Sequence, residues 1–319
     1  MPCYKPLTGY RSDVENFNTG KRGIVFKQEH AQWPLNEVTI PCGSCIGCRF
    51  ERSRQWALRC VHEASLHDEK CFLTLTYDPE HLPKNNSLNK RHFQLFMKRL
   101  RKHYADKKIG YYMCGEYGEQ NTRPHYHACI FGMEFEDKIF HSTTKNGDKL
   151  YKSTILSKIW HSHDRKTREP VSGGFCTIGE LNFKTAAYTA RYIMKKINGK
   201  KADEHYRYTN EKTGEQFQLE PEYTSMSLKP AIGKNWYLKF KTDVYPTDEV
   251  IIKGISMQPP TYYDKLLEKE EPHLHEIIKH ERLLNAKKYS KDNTPERLHV
   301  KHKVKQAQAN LLSRTLEEI

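Results

Sequence analysis

The sequence predicts an α+β protein: a central antiparallel sheet with helices packed on one face, preceded by a Cys-rich segment and followed by a helical tail. Three observations predict it. Segments of β-type alternation at 71–77, 111–117 and 125–131 succeed one another with turn residues between them, which suits sequential antiparallel strands. Apolar residues recur at helical spacing near 50–64, 89–104 and 183–197. From Tyr262 to Ile319 the chain is charged and helical in pattern. The organisation predicted is a Cys-rich segment over 1–48, a core over 49–200 with an insertion at 133–173, and an extension over 201–319.

The first segment is irregular, with Cys42, Cys45 and Cys48 in a Pro/Gly-rich turn. Thiolates at that spacing converge on one soft cation, and Cys3 completes a four-sulfur site if the N-terminus folds back. A structural zinc ion is the expected occupant, with an iron–sulfur cluster or three reduced thiols as the alternatives. Cys60, Cys71, Cys114, Cys129 and Cys176 lie in apolar or mixed segments and read as small core residues.

The first helix follows from Phe50, Ser53, Trp56, Ala57, Cys60, Val61 and Ala64, ringed by Arg49, Arg52, Arg54 and Arg59. Residues 71–77 alternate and are Thr-rich, so Thr74 and Thr76 share a strand face. A second helix spans about 89–104, with Phe93, Phe96, Met97 and Leu100 inward; Lys98, Arg99, Arg101 and Lys102 point outward, where they could track a DNA backbone.

Arg123-Pro124-His125-Tyr126-His127 carries the most chemistry. On a strand, side chains repeat every second position, so His125 and His127 share a face and can grip one metal ion, while Tyr126 points away. A hairpin through 118–122 folds Glu116 back beside them, with Glu119 as the competing ligand. Two imidazoles and a carboxylate leave coordination positions open for a substrate oxygen.

The insertion at 133–173 reads as long loops around a short helix near 155–160, and residues 175–179 return as a strand. In the helix beyond, Phe183, Ala186, Ala187, Ala190, Ile193, Met194 and Ile197 form the apolar stripe, which sets Tyr188, Tyr192 and Lys195 on the opposite side. A phenol is a poor nucleophile until its oxyanion is stabilised, which Lys195 and a polarised phosphate would do. Arg123, Lys184, Arg191 and Lys196 flank the two motifs and are candidate DNA contacts. Further on, 205–219 resembles a polar hairpin, and 232–245 mixes aromatics with cations; Trp236 and Phe240 are expected in the core.

With Cys71-Phe72-Leu73-Thr74-Leu75-Thr76-Tyr77-Asp78, the histidine motif and Tyr188-x-x-x-Tyr192-x-x-Lys195 in this order, the chain resembles the HUH endonuclease superfamily. More closely, it looks like the replication initiators of gokushovirus-type Microviridae, small single-stranded DNA phages; the segments at 1–7, 41–48 and 259–264 match that group too. The resemblance implies an RRM-like sheet with the site on its open face, and a rolling-circle nickase and ligase. In that family Mg2+ or Mn2+ polarises the scissile phosphate, and two tyrosines alternate in forming a 5'-phosphotyrosine. Carried over, His125, His127 and Glu116 are metal ligands, Tyr188 and Tyr192 nucleophiles, and Lys195 the helix lysine. The implied partners are origin single-stranded DNA, host polymerase and host helicase, in the cytoplasm of a bacterial cell.

Composition agrees with a polyanionic partner: 53 Lys and Arg against 39 Asp and Glu leave 319 residues with a net charge of +14. No apolar run approaches the roughly 18 residues that span a bilayer. No G-x-x-x-x-G-K-S/T loop occurs, so ATP-driven unwinding falls to a partner. A zinc-stabilised DNA-binding protein without chemistry, and another HUH enzyme such as a transposase or relaxase, are the competing functional readings.

Overall fold

The computed structural model describes residues 3–118, 122–163, 170–191, 201–209 and 214–311. It divides into two units, Met1–Arg52 with Lys279–Leu312, and Ser53–Ile278 with Ser313–Ile319.

In chain order the first unit holds β1 (Leu7–Glu15), β2 (Arg22–Val25), β3 (Glu37–Ile40) and the start of α1 (Ile46–Ala64). The three strands form an antiparallel sheet with β1 in the middle. This corrects the expectation of an irregular segment over 1–48. In β1 only Gly9 and Ser12 are buried and most side chains are exposed, so no apolar alternation marks the strand.

The second unit holds β4 (Lys70–Thr76), α2 (Lys90–His103), β5 (Gly110–Tyr117), β6 (Pro124–Phe131), β7 (Ile139–Thr143), β8 (Lys149–Lys152), α3 (Thr154–Ile159), β9 (His161–His163), β10 (Pro170–Ser172), β11 (Cys176–Gly179) and α4 (Phe183–Arg191). It continues with α5 (Lys201–His205), β12 (Arg207–Thr209), β13 (Gln216–Gln218), β14 (Tyr223–Met226), α6 (Lys234–Val244), β15 (Val250–Ile252), β16 (Ile255–Met257), α7 (Thr261–Glu270) and the start of α8 (Pro272–Lys288), whose remainder belongs to the first unit. The last helix, α9 (Pro295–Asn310), belongs to the first unit.

Among the described residues, seven antiparallel strands form the main sheet in the order β14-β5-β6-β4-β11-β8-β7. Every residue of β6 is buried. One parity of this strand is Pro124, Tyr126, Ala128 and Ile130 and the other ends in Cys129 and Phe131, so both faces carry apolar groups that pack under helices. Leu73, Leu75, Met113, Tyr126, Ala128 and Ile130 pack with Phe93, Phe96, Met97 and Leu100 of α2 and Leu156 of α3. Each of those helix side chains contributes roughly 1.5–3 kcal/mol by leaving water. Phe72, Tyr112, Cys114, Cys129 and Phe131, of the other parity, pack with Ala57, Cys60 and Ala64 of α1 and Ala186, Tyr188 and Ala190 of α4. Helices therefore cover both faces, not the single face expected, and the face that carries Glu116, His125 and His127 is not open.

Local signals set the helix ends. The Asn89 side chain accepts from the Arg91 amide at the start of α2, and Ser153 from Leu156 at the start of α3. The insertion does contain a short helix, but β7 and β8 replace the predicted loops and extend the sheet. Ile139 and Phe140 are exposed on that edge, which hides the alternation that would have marked a strand. Gly174 lies at φ +145°, and a Cβ there would come within 2.3 Å of the Thr76 carbonyl oxygen, so the chain enters β11 only through glycine. The C-terminal part of the unit has its own cluster around Leu58, Tyr237, Tyr245, Tyr263 and Leu267. Trp236 packs against it as expected, stacked on His62 at 3.5 Å between centroids.

Candidate metal centre

The β5–β6 hairpin pairs Glu116 with His125 and Cys114 with His127, so the carboxylate and both imidazoles leave the same face of adjacent strands. The Gly118 amide closes the hairpin on the Arg123 carbonyl at 3.0 Å. Both His Nε2 atoms lie 2.9 Å from one oxygen, Oε1 of Glu116. Glu116 and His127 are 0% and 1% exposed, and His125 7%. Burial pushes the Glu116 carboxyl up, but the two histidines outweigh it and hold the group below the ordinary carboxylate range.

The outer nitrogens are already engaged. His125 Nδ1 donates to the Arg123 carbonyl at 3.1 Å, and His127 Nδ1 shares a hydrogen bond of 3.0 Å with Thr74 Oγ1. Phe72 stacks on His127 with an interplanar angle of 8°. These contacts fix both rings with Nε2 turned inward, which is the arrangement in which a histidine ligates through Nε2. The ligand atoms of Glu116, His125 and His127 all lie within 4.8 Å of one another. Two nitrogens and a carboxylate oxygen so converged fit a divalent cation. The alternative ligand Glu119 lies outside the described residues.

Helix α4 brings Tyr188 to the same place. Asn182 caps it: its side chain accepts from the amides of Lys184 and Thr185, and its own amide donates to the Thr185 hydroxyl at 2.9 Å. Ser53 of α1 donates to the Ala187 carbonyl, which ties the middle of α4 down. The Tyr188 ring meets His127 edge-on, 5.0 Å between centroids and at 90°. Tyr188 is 4% exposed and packs in the sheet-facing cluster, which corrects the expectation that it avoids the apolar face. Ala186, Tyr188 and Ala190 are buried together against Phe72, Cys129 and Phe131 of the sheet. Tyr192, Lys195 and Lys196 lie outside the described residues.

The other cations are placed as follows. Arg191 sits 5.8 Å from the Tyr188 ring centroid, Arg123 donates to the Tyr77 carbonyl, and Lys184 is ion-paired with Asp148. On α2, Arg99 donates to the His161 carbonyl and Arg101 to that of Ile109. The functional neighbours that sequence reasoning did not assign are Thr74 and Phe72. Their signal was the two-residue period of β4, which puts them on the histidine face.

The second cluster joins Cys3, Cys42, Cys45 and Cys48, whose sulfurs also lie within 4.8 Å of one another. Burial pushes the Cys3 and Cys48 thiols up, whereas at Cys42 the amides of Cys45 and Ser44 and the Ser44 hydroxyl outweigh burial and bring the thiol down to about 6. No disulfide links any of the nine cysteines, and the remaining five are buried as core residues.

Against known proteins, the family model described as replication-associated protein ORF2/G2P matches residues 70–197. The chain is 30% identical over 282 residues to replication-associated protein VP4 of Bdellovibrio phage phiMH2K, covering 85% of this chain and 79% of the relative. It is 31% identical over 286 residues to replication-associated protein ORF2 of Spiroplasma virus 4, covering 85% and 81%. Replication-associated protein ORF4 of Chlamydia phage 1 is 28% identical over 239 residues, covering 72% of this chain and 54% of the relative. No solved structure matches the chain.

Proposed function

The chain belongs to the family of phage replication-associated proteins, and from that premise we propose that it initiates rolling-circle replication by nicking and rejoining single-stranded DNA. The observation that carries this reading is the convergence of Glu116, His125 and His127 with the Tyr188 ring set edge-on against one of the ligands.

In this proposal Glu116, His125 and His127 hold Mg2+ or Mn2+. The bound ion would polarise the scissile phosphate and offset the charge that develops on it. Thr74, the Arg123 carbonyl and Phe72 keep the imidazoles in ligating orientation. The Tyr188 hydroxyl attacks phosphorus, a Tyr–O–P bond forms, and the bond to the 3'-oxygen breaks. The phenolic proton balances the 3'-OH that is released. One phosphodiester replaces another, so the reverse attack by a 3'-OH rejoins the strand. Tyr192 is proposed as the second nucleophile and Lys195 as the group that steadies a phenolate, both on the resemblance of the helix motif. Arg123 and Arg191 are proposed to hold the strand at the phosphates. Tyr188 is buried against the sheet beside His127, so in this proposal DNA reaches its hydroxyl past His127 or with a shift of α4.

The test is incubation with an origin-bearing single strand and Mn2+, followed by denaturing electrophoresis. The expected product is a free 3'-OH fragment and a protein–DNA adduct, with Tyr188→Phe plus Tyr192→Phe losing the adduct. Persistence of the adduct in the double variant refutes the assignment of the nucleophiles.

A further inference from the structure

We infer that Cys3, Cys42, Cys45 and Cys48 bind one zinc ion as a closed tetrathiolate, and that this ion takes the place of a hydrophobic core in the first unit. The geometry is that of a mononuclear site. A tetrahedral ion with bonds of about 2.3 Å to sulfur sets its sulfurs about 3.8 Å apart. Here Cys3 Sγ and Cys45 Sγ are 4.0 Å apart, and all four sulfurs fall within 4.8 Å. A disulfide needs about 2.05 Å between sulfurs. An iron–sulfur cluster spreads its cysteines wider than a single ion does, because its own iron and sulfide atoms stand between them.

Backbone amides aim at the sulfurs. Cys42 N donates to Cys3 Sγ at 3.3 Å, Cys45 N to Cys42 Sγ at 3.3 Å, and Tyr4 N to Cys45 Sγ at 3.4 Å. Such donors favour thiolate over thiol. Gly43, at φ +71°, lets the chain turn so that the Cys45 amide reaches Cys42. Cys45 and Cys48 sit at the N-terminal end of the 19-residue α1, where the aligned peptide dipoles favour negative charge. Four thiolates packed this closely repel one another strongly, and a divalent cation relieves that repulsion.

What assigns the ion its role is the rest of the unit. Among the described residues of Met1–Arg52 and Lys279–Leu312, the buried hydrophobic side chains are Cys3 and Cys45 alone. A unit with so little apolar burial does not offset the entropy of ordering its chain, and small folds of this kind are stapled by metal or disulfides. The four ligands come from the segment entering β1, the segment leaving β3 and the first turn of α1. One ion thus closes the loop that contains all three strands, and its binding free energy becomes folding free energy for the unit.

The experiment uses the full chain purified without added zinc. Elemental analysis should give one zinc per chain, released stoichiometrically by an organomercurial titrant. Cobalt exchanged into the site should show the absorption of a tetrahedral tetrathiolate. Hydrogen exchange should accelerate at least about a hundredfold over residues 7–40 on zinc release, and stay unchanged over 70–131. Cys42→Ser and Cys48→Ser should lose zinc, and Cys176→Ala should keep it. Protein that is zinc-free as isolated yet protected over 7–40, iron as the native occupant, or a cobalt spectrum with fewer than four sulfurs would each overturn the inference. None of these readouts depends on nicking, so failure here and failure of the proposed nickase activity are separately visible.

Discussion

Thr74 is a single hydroxyl whose position decides how His127 faces the site. It meets the outer nitrogen of His127 at 3.0 Å, and the ring is otherwise held by stacking on Phe72, which limits its tilt but not its rotation in plane. Removing such an outer partner typically weakens metal binding by about 10- to 100-fold, because the ring and its tautomer are no longer fixed. Thr74→Val is nearly isosteric, so the strand should survive. We expect Mn2+ affinity, measured by calorimetry, to fall within that range, with cleavage restored at saturating Mn2+. Unchanged affinity would mean that Phe72 stacking alone orients His127. The same reasoning explains why Glu116 accepts two imidazoles while fully buried: an isolated carboxylate there would sit far above its ordinary pKa, and the histidines bring it below.

Between elements, His62 joins α1 to α6 and α7. Its ring stacks on Trp236, and its Nδ1 lies 2.8 Å from the Tyr263 hydroxyl. Burial holds this imidazole down to about 3, against an ordinary value of 6.5, so the folded protein keeps it neutral where the unfolded chain takes up a proton. The stability it protects is complete above pH 6.5 and is lost as pH falls from there toward about 3. At pH 5 the loss from this group is about 2 kcal/mol. His62→Phe, which can still stack on Trp236, should lower the baseline but flatten the difference in urea midpoint between pH 7.5 and pH 5. An equally steep pH dependence in the variant would remove His62 as its source. At this scale the sequence spoke clearly where one strong period ran: α2 lies at Lys90–His103, close to the 89–104 expected, and the β5–β6 register follows from the alternation around His125 and His127. It was silent where strands are short or exposed. Strand β14, Tyr-Thr-Ser-Met, has no alternation and gains its place by pairing with β5, and β7 turns Ile139 and Phe140 to solvent. The inward turn of Tyr188 was also hidden, because a helical wheel does not say how much of the flank beside the alanine stripe the sheet covers, and here Tyr188 joins Ala186 and Ala190 in one cluster and meets His127.

Across the whole molecule, charge and chemistry separate. In the proposed function the net charge of +14 attracts any nucleic acid, whereas Glu116, His125 and His127 act only on a phosphate brought to them. No helix among the described residues is long and apolar enough to cross a membrane. If the charge serves DNA binding, affinity must carry the signature of counterion release: for single strands log K falls with log salt at a slope of about −0.7 per phosphate engaged. A strand held at about five phosphates should then bind on the order of 10²-fold more weakly at roughly 200 mM salt than at roughly 50 mM. His125→Ala with His127→Ala should abolish cleavage and leave both the affinity and its salt slope within a few-fold of the parent, measured by fluorescence anisotropy on an origin strand. A flat salt response in the parent would assign the charge to something other than phosphate contact. Loss of binding in the double variant, with the salt slope reduced by about one phosphate or more, would instead mean that the buried cluster itself anchors the strand.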